Sequence, residues 1–329
     1  MCAATRLPSA IAPMLATPGP VPVGAGWAAE IKHDGMRAGV TAVDGRWRLR
    51  SRTGQDITGA FPELAVLPDL LGGRRVALDG ELVVLNTAGA SDFALLQQRI
   101  GVRDPSPRLL RAAPATLYVF DLLVIDQQEV MAAPYTERRA MLEDLRLRAP
   151  GVDTTPAFVD GAAELYAAAQ EYNLEGIVCK RLTSPYLPGQ RCRTWVKTVI
   201  PHVADVVVCG WLPGRGRLRG TIGALVVGAY DRTGHLHLIG RVGSGLSGAA
   251  RQQLQERLAP LRRSNPPTGH AESVAMAEAT WVDPQVVARV AYRSWTGGTQ
   301  LRHPVYRGVL DDRDATSAQL PEVMRPAQR

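Results

Sequence analysis

The chain has 329 residues, 46% of them hydrophobic and 21% charged, a composition that supports a packed core and excludes wholesale disorder. At about 150 residues per domain, that length predicts two domains. An excess of 38 Lys and Arg over 31 Asp and Glu leaves a net charge of +7, which suits an anionic partner, nucleic acid among them, without requiring one.

Four cysteines stand at Cys2, Cys179, Cys192 and Cys209. They form no Cys-x-x-Cys pair, and none has a histidine at zinc-ligand spacing, so neither a disulfide scaffold nor a zinc module is expected and a reducing cytoplasm fits. Leu7 to Ala29 carries no charge over 23 positions, but it holds Pro8, Pro13, Pro18, Pro20 and Pro22 together with Gly19, Gly24 and Gly26. These residues break an apolar helix, so the stretch reads as an irregular segment packed on a domain, and no membrane role is expected.

Taken in chain order, Glu30–Lys32 and Ala38–Thr41 read as extended, and Trp47–Arg52 alternates apolar with basic residues at period two. Asp44-Gly45 is a hairpin turn signal between them. Val76–Leu78 and Leu82–Leu85 flank Asp79-Gly80-Glu81, and Leu117–Ile125 reads as a buried strand. Helices are expected at Asp92–Ile100, Thr136–Leu147 and Gly161–Tyr172, with Ser91, Thr136 and Asp160 as N-caps. This mixture of hairpins and helices predicts an α+β fold rather than a doubly wound parallel sheet. From Val206 strands dominate, at Val206–Gly210, Ile222–Tyr230, Leu236–Val242 and Val286–Tyr292, interrupted by one helix over Gly248–Leu261. That pattern predicts a small OB-type β-barrel, which binds nucleic acid on one strand face. The boundaries expected are a first domain at 1–200, a linker at 200–205, a barrel at 201–315 and a flexible tail at 316–329.

Lys32-His33-Asp34-Gly35 is the centre of the chemical argument. A lysine two residues before an aspartate lies on the same side of an extended chain, and Gly35 lets the backbone approach a ligand closely. A lysine with a reference pKa of about 10.4 becomes a nucleophile only when nearby cations, a metal or desolvation lower that value. Asp79-Gly80-Glu81, Tyr118-Val119-Phe120-Asp121, Glu175-Gly176-Ile177-Val178-Cys179-Lys180 and Trp195-Val196-Lys197 follow in order. Glu81, between apolar runs, needs a partner if buried. On an ideal strand, the odd offset from Glu175 to Lys180 would point the two to opposite faces. Cys179 reads as a buried apolar residue and His33 as incidental.

These motifs, in this order and at these gaps, resemble the covalent nucleotidyltransferase superfamily of DNA ligases, RNA ligases and mRNA capping enzymes. The resemblance runs from Pro13-Met14-Leu15 to about Asp312. Within it the chain looks most similar to bacterial ATP-dependent DNA ligases of the end-joining type, through Glu30-Ile31-Lys32-His33-Asp34-Gly35-Met36-Arg37, Phe61-Pro62-Glu63-Leu64, Val207–Trp211 and Gly240–Leu246. Capping enzymes usually begin the fourth motif with Asp-Gly, whereas this chain has Glu175-Gly176. The family's fused polymerase and nuclease modules, and any large N-terminal DNA-binding domain, are not expected here.

The resemblance implies a nucleotidyltransferase domain of ATP-grasp-like antiparallel sheets with helices, followed by the OB-fold. It implies that Lys32 attacks the α-phosphorus of ATP to give lysyl–AMP, that the AMP passes to a DNA 5′-phosphate, and that the 3′-hydroxyl at the nick displaces it. Mg²⁺, or Mn²⁺ in its place, would be held by Glu175 and Asp34. Glu81 would bond the ribose or support the metal, and Phe120 would stack on adenine. Glu30, Ile31 and Lys180 would line the nucleotide site, and Arg37, Arg52 and Lys197 would hold phosphates and the nick. Arg215, Arg217 and Arg219 form a basic loop suited to the DNA backbone, as Arg52 is. The implied setting is a monomer in the bacterial cytoplasm and nucleoid. It would act on nicked double-stranded DNA in repair and end joining, with a Ku-type end-binding protein and a separate repair polymerase as partners.

Two departures stand out. The family usually carries a second lysine two residues after the one at Lys197, where this chain has Val199. Its C-terminal Arg-x-Asp-Lys-like motif corresponds to Leu310-Asp311-Asp312-Arg313. Both losses fall on ATP activation, so slow lysine adenylylation and comparatively better sealing of pre-adenylylated DNA are expected.

Overall fold

The computed structural model describes residues 10–268, 278–295 and 300–320, and it divides into two compact units at 1–200 and 201–329. Cys2, the first three residues of the uncharged N-terminal stretch and positions 321–329 of the expected tail lie outside the described residues.

Two sheets build the first unit. One has the order β1 (Leu15–Pro18), β11 (Arg191–Val199), β10 (Gly176–Arg181), β2 (Trp27–Ile31), β9 (Ala157–Val159), antiparallel except for β1 against β11. The other runs β4 (Arg46–Ser51), β3 (Met36–Val43), β5 (Val76–Val84), β6 (Ala115–Ile125), β7 (Gln128–Glu129), with β8 (Val152–Thr154) parallel to β6. The uncharged N-terminal stretch therefore contributes two strands, and β5 passes unbroken through Asp79-Gly80-Glu81.

Period-two patterning decides which side chains meet the site. On β3, Ala38, Val40 and Ala42 enter the main core, as do Leu49 of β4 and Val76, Leu78, Leu82 and Val84 of β5. The opposite face therefore carries Arg37, Gly39 and Thr41, paired in register with Glu81, Asp79 and Ala77. A register shift on β6 turns Leu122 back into the core, while Phe120 and Leu123 pack in a separate cluster with Met14, Ala77, Tyr186 and Trp195.

Three helix starts differ from the sequence expectation by one residue each. Asp92, rather than Ser91, caps Phe93–Gln97 by accepting from the Ala94 and Leu95 N–H groups. Ser91 Oγ instead accepts from the Asp34 N–H at 2.9 Å, tying the Lys32 loop to the β5–helix connection. The helix expected from Thr136 starts at Tyr135 after Pro134, so Thr136 is already inside it. Asp160 precedes the N-cap Gly161 and spends its carboxylate on the Gly26 and Trp27 N–H groups.

The second unit curls around the long strand β12 (His202–Pro213), which pairs with β13 (Ile222–Tyr230), with Thr280–Val282 and with Val287–Tyr292; β14 (Leu236–Val242) adds to β13. Val206, Val208, Leu225, Val227, Leu254 and Leu258 fill it, the last two from the helix Gly248–Leu258, which Ser247 caps. The expected 200–205 linker is mostly strand, because β12 starts at His202. Residues 316–320, expected to fray, are held in place: Ala318 and Leu320 are buried, and the Leu320 N–H donates to the Tyr230 carbonyl. Among the described residues, no helix is long and apolar enough to cross a membrane.

Candidate active site

Lys32 follows β2, where its backbone N–H donates to the Gly176 carbonyl at 2.9 Å. Its Nζ lies 2.5 Å from Glu175 Oε2, with both side chains largely buried. Two glycines make this approach possible. A Cβ on Gly35 would fall 2.1 Å from the Leu82 carbonyl oxygen, and one on Gly176 would fall 2.1 Å from that of Thr198. Gly176 also adopts φ +143°, a conformation that favours glycine. Glu175 stands outside β10, ahead of this irregular glycine, so strand alternation does not govern its relation to Lys180: Lys180 lines the cavity, and Glu175 touches Lys32, which lines it too.

Lys32 and Ile31 line a cavity of about 210 Å³ together with Glu81, Phe120, Arg52 and Lys197. Arg37 enters it already committed, with Asp79 taking both Nε and Nη2 at 2.6 and 2.5 Å. Burial alone would lower the Arg37 pKa, but Asp79 outweighs that and raises it, so the guanidinium is a fixed cation. Burial pushes the Glu81 carboxyl up to about 7; Arg37 and Lys32 oppose this, and Glu175 and Asp79 add to it. Phe120 meets Trp195 edge-on at 6.4 Å between centroids, and Arg37 and Lys180 each place a cation 4.6 Å from its ring centre.

Lys180 and Glu30 form the cavity's buried floor. Lys180 Nζ is 2.8 Å from Glu30 Oε2 and donates to the Phe120 carbonyl at 2.9 Å, while the Tyr135 hydroxyl donates to Glu30 Oε1 at 2.6 Å. Burial lowers the Lys180 pKa against the opposing pull of Glu30 and Asp121. Burial also pushes the Cys179 thiol up to about 11, in keeping with an inert apolar role.

The structure departs from the sequence reading at several positions. Neither Asp34 nor Glu175 is among the residues lining the cavity, which Glu175 meets through its contact with Lys32, and among the described residues no cluster of three or more His, Cys, Asp or Glu forms a metal cage. His33, read as incidental, lines the cavity and stacks on Tyr118 at 4.3 Å. Burial, then the Lys32 charge, lowers its pKa to about 4, so its imidazole is neutral at physiological pH. Sequence reasoning gave no role to Trp195, Arg191, Asp79, Tyr135 or Tyr186; Asp79 and Trp195 sit inside recognised motifs, the only signal available for any of them. In the second unit Arg215, Arg217 and Arg219 are exposed on a loop, but Arg215 pairs with Glu278 at 3.0 Å.

A buried-floor pocket with one lysine against a glutamate, an aromatic ring and fixed cations, followed by an OB-type barrel, defines a covalent nucleotidyltransferase architecture. Residues 13–198 match the family model for the ATP dependent DNA ligase domain, and residues 218–313 match that for the ATP dependent DNA ligase C terminal region. The chain belongs to the ATP-dependent DNA ligase family. It is 37% identical over 92% of its length to the multifunctional non-homologous end joining protein LigD of Mycobacterium bovis, and 34% identical over 94% to that of Pseudomonas aeruginosa. It spans 39% and 36% of those proteins. A solved mycobacterial DNA ligase D complexed with ATP and MES is 35% identical, with a TM-score of 0.54 over 94% of this chain and 97% of the other.

Proposed function

We propose that this chain seals nicks in double-stranded DNA with ATP through a lysyl–AMP intermediate, in DNA repair by end joining. The observation that carries this reading is Lys32 Nζ held against Glu175 in a cavity walled by Phe120, Glu81 and Lys197. Nucleophilic attack needs a lone pair on Nζ, and Glu175 is the base in contact with it. The Nζ–P bond forms at the α-phosphorus as the bond to the β-phosphate oxygen breaks, and pyrophosphate leaves. The AMP then passes to the DNA 5′-phosphate, and the 3′-hydroxyl displaces it to close the strand. Each step is a phosphoryl-type transfer, so positioning and charge neutralisation dominate.

In this reading Phe120 stacks on adenine and Ile31 borders it, while Glu30 and Lys180 act as positioning residues beneath. Arg52 and Lys197 face phosphates, Arg37, paired with Asp79, backs the Phe120 ring and adds positive potential, and Glu81 faces the ribose. The hard carboxylate oxygens of Glu175, beside Lys32, and of Asp34 fit Mg²⁺ or Mn²⁺; neither residue is in the cavity wall, and either would hold the cation directly or through water. When bound, the cation neutralises phosphate charge. Arg217 and Arg219, with the ion-paired Arg215, offer the barrel's contacts to the DNA backbone. A Ku-type protein and a separate repair polymerase are the partners this role calls for; the likeness to the LigD non-homologous end joining proteins supports the end-joining setting.

The test incubates the protein with α-labelled ATP and Mg²⁺, maps the labelled residue, and then supplies a nicked duplex. Label on Lys32, lost in Lys32→Ala, followed by sealing, is the expected result. A protein that never acquires label and never closes a nick would refute the reading.

A further inference from the structure

β9 ends its sheet, with β2 its one neighbour among the described residues. Hydrogen-bond directions alternate along the β2 segment. The Lys32 N–H donates to the Gly176 carbonyl and the Gly26 carbonyl accepts from Leu182, so the even-numbered residues bond toward β10. Odd-numbered residues therefore bond toward β9, and the Asp160 N–H does donate to the Trp27 carbonyl. Phe158, opposite Ala29, spends its backbone groups on β2, which leaves the N–H and C=O groups of Ala157 and Val159 facing outward.

The side chains on this open edge are apolar. Phe158 and Val159, on opposite faces of the strand, are 47% and 64% exposed. Open edges are commonly defended by lysine. Here positions 149–179 contain no Lys or Arg at all, although the whole chain carries +7. The same run holds Asp153, Asp160, Glu164 and Glu171, none of which belongs to the nucleotide site. Asp160 directly follows β9, and Glu164 is exposed in the first turn of the helix Ala162–Glu171 beside it. Two arginines approach from other elements. Arg139, which donates to the Thr155 carbonyl, is paired with Glu143, and Arg181 lies over the Trp27 ring. Asp153, Asp160 and Glu164 leave the edge with an acidic excess.

We propose that β9 takes a basic, extended segment of another protein as an added strand. Ladder bonds form at Ala157 and Val159, Phe158 and Val159 meet apolar side chains, and lysine or arginine of the segment faces Asp153, Asp160 and Glu164. Nucleic acid does not suit this edge, because the acidic excess repels phosphate and a nucleotide chain offers no ladder. A second copy suits it less well, because pairing two β9 strands about a twofold axis sets the same acidic residues against each other. The proposal goes beyond the ligase reading and does not depend on it.

The probe is a labelled short peptide alternating lysine with valine, titrated against the full chain at low and high salt. Binding that weakens with salt and slows hydrogen exchange at the Ala157 and Val159 amides is expected. A glutamate–valine peptide should bind roughly tenfold more weakly. Val159→Pro removes an outward N–H at an edge position where proline is tolerated, and should weaken binding roughly tenfold. Glu164→Lys should weaken it several-fold. Thermal unfolding confirms that each variant is folded. No binding of the lysine–valine peptide overturns the proposal, as does binding that folded Val159→Pro leaves unchanged; should that variant not fold, unchanged binding in Glu164→Lys does so. A chain that self-associates until Val159→Pro disperses it makes the occupant a second copy and overturns the basic partner.

Discussion

Lys180→Met tests whether the floor of the nucleotide cavity is a charge-balanced unit. Lys180 and Glu30 are 1% and 2% exposed, and their 2.8 Å pair is the closest charge contact either makes. Methionine keeps the length of the side chain and removes the ammonium. Glu30 is then left with the Tyr135 hydroxyl, and the Phe120 carbonyl loses its donor. Removing one partner of a buried pair costs about 3–5 kcal/mol, because the remaining charge stays desolvated. In a unit spanning residues 1–200, about 2–4 °C per kcal/mol turns this into a Tm loss of about 6–20 °C. Adding Glu30→Gln removes the stranded charge, so the double variant should recover at least half of the loss. The assay is thermal unfolding of the full chain near neutral pH, following the transition of the first unit. A single variant that melts within about 2 °C of the wild type, or a double variant no more stable than the single, would refute the reasoning.

Two further outcomes follow from the cavity. Glu81 has a folded pKa of about 7, above its ordinary 4.5, so its protonation stabilises the fold below 4.5 and that contribution is lost as pH rises through 7. Wild type should therefore gain stability relative to Glu81→Gln as pH falls from 7 to 4.5. Lysyl–AMP formation should rise through an inflection near pH 7 that Glu81→Gln abolishes, and an unchanged inflection in that variant would assign it to another group. Val199 lies two residues beyond Lys197 on β11, on the same strand face and half-buried. Val199→Lys should speed lysine adenylylation about tenfold, equivalent to about 1.4 kcal/mol, and leave the sealing of pre-adenylylated nicks unchanged. Single-turnover measurement of the two steps checks it, and no gain in the first step would remove Val199 as a cause of the slow activation expected from the sequence.

Much of the site was legible because its chemistry sits in short local motifs. Lys32, Gly35, Glu81, Phe120 and Glu175 were all marked by the order of these motifs, and the alternation of Trp47–Arg52 already separated a core face from a basic one. Helix starts were legible only to within one residue, because Ser91 and Asp160 bond distant backbone rather than the adjacent helix. What the sequence could not decide is which charges are already spent. Arg37 is tied to Asp79, 42 residues away, and Lys180 to Glu30 across the β2–β10 pairing. Those pairs depend on strand register, and register is set by long-range burial, which no local window contains.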